Sequence, residues 1–116
     1  MPDRTEVDPG LATNCVTLAG KLTSTPTVRE LPSGDQIVTF RISVPRSRTA
    51  MTARSKTASD WVDCTAWTAR TRRAALRWQV GDRVEVDGAL RRRFYAAAAG
   101  STTRLEVEVL HARSAP

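Results

Sequence analysis

Between Ser59 and Trp67 the chain reads Ser-Asp-Trp-Val-Asp-Cys-Thr-Ala-Trp, an alternation that places two indoles on the polar side of a strand. In an extended chain Val62, Cys64 and Ala66 point one way, and Trp61, Asp63, Thr65 and Trp67 the other. The small apolar set suits a core. Large rings in a row do not suit the wet face of a soluble monomer, so they call for something flat to cover them. Cations occupy comparable outward positions elsewhere. Arg91, Arg93 and Tyr95 share one face of a second strand, Arg41 lies on the polar side of a third, and Arg46, Arg48, Arg54 and Lys56 fall between Pro45 and Ala58. Rings interleaved with Lys and Arg match single-stranded nucleic acid, in which bases expose flat faces and each nucleotide carries a phosphate. A duplex hides those faces. The other reading of the same pattern, that an oligomer partner buries Trp61 and Trp67, stays open.

Catalytic chemistry finds no foothold. The single His111 has no Cys, Asp or Glu at ligand or triad spacing, which leaves it a partly exposed structural histidine. Asp82, Asp87, Glu106 and Glu108 are scattered along strands beside basic residues rather than paired in an apolar pocket. No phosphate-binding or dinucleotide glycine pattern occurs. The expectation is a binding module with no catalytic residue, no metal and no cofactor.

The elements that position these residues are mostly strands. Val16, Leu18, Gly20 and Leu22 fall in phase over Asn14–Leu22, with Gly20 at a bend or bulge, and Thr27–Leu31 can pair as a short strand. Pro32-Ser33-Gly34-Asp35 supplies a turn into Gln36–Val44, where Val38, Phe40, Ile42 and Val44 face inward. A mobile basic loop follows. Past Trp67 the period changes: Thr68–Gln79 is rich in Ala, Leu and Arg and predicts one helix, with Ala74, Ala75 and Trp78 on a single stripe and Trp78 as a core plug. Val80-Gly81-Asp82 ends it. Val84, Val86, Gly88 and Leu90 then alternate, Ala96–Ser101 reads as a hairpin tip, and Leu105, Val107 and Val109 face inward on the last strand, Thr102–Leu110. Five β segments, with a helix inserted between the third and fourth long ones, predict an all-β, five-stranded Greek-key barrel of the OB type.

Composition agrees with that size and partner. The chain has 116 residues, with 18 Lys plus Arg against 12 Asp plus Glu and a formal charge of +6, a surplus that favours a polyanion. One domain is expected over residues 14–112, preceded by a flexible arm at 1–13 and followed by a short end at 113–116. No apolar run is long enough to span a membrane and no secretory signal is recognisable, so the expected location is cytoplasmic and nucleoid-associated. Cys15 and Cys64 fall on inward or interface positions of strand-like segments and read as buried free thiols.

Three runs carry a family resemblance: Asn14-Cys15-Val16-Thr17-Leu18-Ala19-Gly20-Lys21-Leu22, Thr25-Pro26-Thr27-Val28-Arg29, and Gly34 leading to Phe40-Arg41-Ile42-Ser43-Val44. Asp60-Trp61, the run from Gly81 to Arg91, and Gly100 to Glu108 continue it. In these motifs, in their order and spacing, the chain resembles bacterial single-stranded DNA-binding protein. The resemblance implies an OB-fold that assembles as a homotetramer, pairs subunits through the Asn14–Leu22 strand, and coats single-stranded DNA without sequence preference in replication, recombination, repair or DNA uptake. It also implies stacking roles for Trp61, Trp67 and Tyr95. Three departures stand out. Arg48 occupies a place where the family often has a further tryptophan. Asp63 puts a negative charge between the two indoles, repelling phosphate unless an arginine pairs with it. The family's acidic C-terminal tip is missing, so a short paralogue is expected, without docking of repair enzymes through that tip. The competing function is an assembly protein of the same fold whose aromatic face binds replication partners.

Overall fold

The computed structural model describes residues 10–97 and 100–115, with the backbone alone for residues 95–97 and 101. Most of the arm expected over residues 1–13, and the middle of the hairpin tip expected at Ala96–Ser101, lie outside the described residues. Six strands and one helix follow in the order β1 (Val16–Leu22), β2 (Thr27–Glu30), β3 (Gln36–Pro45), β4 (Ser59–Ala66), α1 (Ala69–Leu76), β5 (Arg83–Ala97) and β6 (Gly100–Ser114).

The hydrogen-bonded order is β1-β5-β6-β4-β3-β2, and a further β1–β3 pairing closes five of these strands into a ring. All neighbours are antiparallel except β4 and β6, which run parallel from Cys64↔Val107 to Ala66↔Val109. This is the OB barrel. The short β2 adds a sixth strand bonded to β3 alone, so α1 follows the fourth strand of the chain and the third of the barrel. Among the described residues no helix is long and apolar enough to cross a membrane.

Closure depends on two close approaches of backbone to backbone. β1 pairs with β5 from Val16 to Lys21 and turns onto β3 at Lys21 and Leu22. At that corner a side chain on Gly20 would overlap the Ser43 carbonyl oxygen, so glycine is required by space. Gly88 sits at the irregularity between Asp87 and Gly88 in the β5–β6 ladder, where a Cβ would collide with the Glu108 carbonyl. The bulge lets the long β5–β6 ribbon coil around the barrel.

The inward sets of the strands form the core as their alternation predicts: Leu22, Val38, Phe40, Ile42, Cys64, Ala66, Val84, Val86, Val107 and Val109 are buried. α1 is shorter than the stretch Thr68–Gln79, ending at Leu76 with Arg77 as its cap. Thr68 caps its start, its hydroxyl accepting from the Thr71 backbone N–H at 3.2 Å, an interaction worth about 1 kcal/mol. The chain leaving the helix drops Trp78 into the barrel end, edge-on to Phe40 with ring centroids 5.3 Å apart. The core-plug reading of Trp78 holds.

Three expectations are corrected. Leu105 and Leu90 are about half exposed, because β5 and β6 run on past the barrel and nothing covers that end of the ribbon among the described residues. β6 extends to Ser114 rather than Leu110: its outward residues there are polar, so apolar alternation stops, but Arg113 crosses to Glu85 and Asp87 and carries the ladder on. Those contacts, with a hydrogen bond from Thr17, also hold the Asp87 carboxyl below the usual carboxylate range.

Cys15 is exposed just before β1, whereas Cys64 is buried, and burial with help from the nearby Asp63 and Glu106 charges pushes its thiol up to about 12. A thiolate is the reactive form, so a thiol-alkylating reagent at pH 8 is expected to label one cysteine per native chain and two after denaturation. Mass spectrometry of the alkylated protein checks this. Native labelling at Cys64 would contradict the burial.

Candidate nucleic-acid interface

The outward positions of β3, β4, β5 and β6 line a cleft of about 860 Å³, which takes in Arg41, Trp61, Asp63, Arg93, Arg104 and Glu106. β3 and β4 set its centre by register. Arg41 lies opposite Asp63, and Ser43 opposite Trp61, so the arginine is diagonal to the indole. Its guanidinium carbon stands 4.0 Å from the Trp61 ring centroid while its Nε donates to Asp63 Oδ1 at 3.0 Å. One side chain thus supports the indole and neutralises the carboxylate. Pairing by Arg41 removes the repulsion expected of Asp63, and the Trp61 ring stays 63% exposed.

Trp67 follows β4 directly and keeps its alternation, six residues from Trp61 and hence about 20 Å away in an extended chain. It is 38% exposed, and the Arg93 guanidinium lies 5.8 Å from its ring centroid. Arg93 also contacts Glu106 at 3.1 Å, and that carboxylate side chain is only 4% exposed. Losing the arginine would leave a buried negative charge without that partner, so Arg93 is structural as well as a wall of the cleft. Arg91 reaches Glu108 at 3.0 Å across the same ribbon. The Tyr95 backbone continues this face opposite Thr102, while its side chain lies outside the described part of the structure.

The basic loop leaves the barrel beside Trp61, between Pro45 and Ser59, which pair across the two strands. Arg46 is not free within it. Its Nε and Nη2 donate to Asp60 Oδ1 at 3.0 and 2.8 Å, which lowers the Asp60 pKa and raises that of Arg46. Hydrogen bonds from Thr52 to Ser47 and between Thr49 and Thr52 tie the loop to itself. Arg48, Arg54 and Lys56 project from it, exposed and outside the lining of the cleft.

The structure therefore unites Trp61, Arg41 and Arg93 in the cleft, sets Trp67 and Arg91 along its margin, and leaves the loop cations beside it. Arg29 and Arg104 also line the cleft and were missed as site residues. Arg104 lies opposite Arg93, and Arg29 donates to Thr39 from the short β2. Outward alternation of Thr102, Arg104 and Glu106 contained the signal for the first. The second depended on knowing that β2 pairs with β3.

A model of the single-strand binding protein family matches residues 13–114. The chain belongs to that family. Single-stranded DNA-binding protein 2 of Listeria innocua is 31% identical over 87 residues, covering 75% of this chain and 54% of the relative. Single-stranded DNA-binding protein A of Bacillus subtilis is 32% identical over 82 residues, covering 71% of this chain and 46% of the relative. The chain thus spans about half the length of the curated relatives it matches. Among solved structures, an SSB of Plasmodium falciparum in complex with ssDNA has a TM-score of 0.73 over 90% of this chain and 96% of its own, at 19% identity. That likeness concerns the fold, and it agrees with the OB barrel derived from the strand order.

Proposed function

We propose that this member of the single-strand binding family binds single-stranded DNA without sequence preference, as a non-catalytic module. The observation that carries the proposal is the Trp61 indole, backed by Arg41 and open to solvent inside a cleft whose two acidic residues, Asp63 and Glu106, are each paired with an arginine. Bases stack on Trp61, Trp67 and Tyr95. Phosphates meet Arg41, Arg91 and Arg93, together with Arg46, Arg48, Arg54 and Lys56 at the loop. Arg29 and Arg104 join them as further lining cations.

Assembly into a homotetramer accompanies this reading. Among the described residues β1 has a partner on one side only from Val16 to Gly20, so its other edge offers a pairing surface to a second β1, with Thr17 and Ala19 outward. Such edges are templates for strand addition. A cytoplasmic, nucleoid-associated location and a part in replication, recombination, repair or DNA uptake follow from the partner proposed.

The test is a titration with oligo(dT) followed by intrinsic fluorescence. Trp78 is buried, so quenching on binding reports Trp61 and Trp67. Single strands are expected to quench and a duplex of equal length to quench far less. Affinity is expected to fall with salt at a log-log slope of about 0.7 per phosphate neutralised. Binding of neither strand form by a tetrameric protein would overturn the proposal in favour of an assembly role for the aromatic face.

A further inference from the structure

Helix α1 has a charge pattern that its own stability explains only in part: Arg73 in its last turn and Arg77 at its cap suit the negative end of the helix dipole. No Asp or Glu occurs between Asp63 and Asp82, while Arg70, Arg72, Arg73 and Arg77 all fall there. Its first turn holds no acidic residue. Arg70 and Arg72 instead sit near the positive end of the helix dipole, where a cation is unfavourable. Ion pairs engage Arg41, Arg46, Arg91, Arg93 and Arg113 among others, and among the described residues none engages Arg70, Arg73 or Arg77. On the tryptophan face Arg41, Arg91 and Arg93 each meet a carboxylate, whereas Arg70, Arg73 and Arg77 do not.

Arg70, Arg73 and Arg77 lie three and four residues apart, on one helical face spanning about 10 Å. They line a cleft of about 590 Å³ between α1 and the end of β6, which also contributes His111 and Arg113. Unlike the first cleft, this one contains no aromatic platform. Its position relative to the stacking residues follows from the chain: Trp67 is followed at once by the cap Thr68, and Arg70 comes two residues later.

We infer that the arginine face of α1 is an electrostatic subsite for the phosphate backbone of a DNA single strand that continues beyond Trp67. The inference rests on the function proposed above. In this arrangement bases are held at Trp61 and Trp67, and the strand past Trp67 is held by charge alone, at Arg70, Arg73 and Arg77. The three arginines of α1 and its cap then add charge that no carboxylate among the described residues offsets, whereas Arg41, Arg91 and Arg93 share theirs with Asp63, Glu108 and Glu106.

The experiment compares the wild type with a protein carrying Arg70→Gln, Arg73→Gln and Arg77→Gln, exposed positions on α1 and its C-cap, and with the corresponding triple Lys variant. Each is titrated with an oligo(dT) of about 5 nucleotides, enough for one aromatic face, and one of about 30, long against the site of a single OB barrel. The Gln variant is expected to keep wild-type affinity and quenching with the short oligomer. With the long one its salt slope should fall by about 2, so the wild type loses about 20-fold more affinity than the variant between 50 and 200 mM salt. The Lys variant should keep the wild-type slope. An unchanged slope in the Gln variant would overturn the inference, as would loss of affinity for both oligomers with Lys failing to restore it. Polyglutamate bound by the wild type and not by the Gln variant, with DNA slopes unchanged, would assign the cleft to an acidic protein instead and also overturn it. Failure of the wild type to bind either oligomer would sink the function proposal itself, a result distinct from all of these.

Discussion

Trp61→Ala is expected to lower affinity for oligo(dT) by about 5- to 150-fold, the equivalent of the roughly 1–3 kcal/mol that one stacked base contributes. The indole is the best placed ring of the interface: it is mostly exposed, it lies in the cleft, and Arg41 fixes its orientation from one side. A guanidinium on a ring withdraws little of the open face, so the stacking surface is ready before DNA arrives. Trp67→Ala should cost less, since that ring is more covered and lies at the margin beside Arg93. Fluorescence titration of the two single variants and the double variant measures both. Wild-type affinity in Trp61→Ala and Trp67→Ala alike would remove stacking from the account and leave charge as the only attraction. Because Trp61 is exposed, its loss should leave thermal stability nearly unchanged, which separates a binding effect from unfolding.

The second large effect falls on stability. Trp78→Ala is expected to destabilise the fold by about 3–5 kcal/mol, the usual cost of emptying an aromatic site in a core. That is a large fraction of the 5–15 kcal/mol that holds a domain together. Trp78 is 6% exposed and packs edge-on against Phe40, closing the end of the barrel beneath α1. Urea unfolding followed by circular dichroism gives the change directly. Trp78→Phe should recover much of the loss, since a smaller ring keeps the contact to Phe40. A cost below about 1 kcal/mol for the alanine variant would show that the barrel end collapses around the gap or that Trp78 does not close it.

These two tryptophans illustrate how the sequence separates roles. Trp61 falls opposite Val62 and Cys64 in a period of two, and Trp78 falls in phase with Ala74 and Ala75 in a helical period, so one is exposed and the other buried on pattern alone. Side-chain period likewise marks the inward faces of β1, β3 and β4, the loop between β3 and β4, and the helix after Trp67. Leu90 and Leu105 are about half exposed despite falling in phase, because alternation reports which face a residue takes and says nothing about where the barrel beneath that face ends. Cys15, read as a buried thiol at an inward or interface position, is exposed just before β1.

The candidate interface was legible in part for a related reason. Residue types and strand faces identified Trp61, Trp67, Arg41, Arg91 and Arg93 as outward. Pairing was not legible, since a salt bridge depends on register between strands distant in sequence. Arg41 with Asp63, Arg93 with Glu106, and Arg91 with Glu108 are cross-strand neighbours separated by 22, 13 and 17 positions. Which of these arginines meets which carboxylate follows from those registers.

The sequence by itself determined the strand and helix periods, the small core residues, the exposed rings and the basic surplus, because each is a local property of side-chain type and spacing. Only the tertiary structure decided that β1 closes on β3 beside Gly20, that Arg41 serves Trp61 and Asp63 together, and that Arg70, Arg73 and Arg77 share a cleft with the end of β6. Those outcomes require strands far apart in the chain to meet in one register, and register is set by packing around the whole barrel.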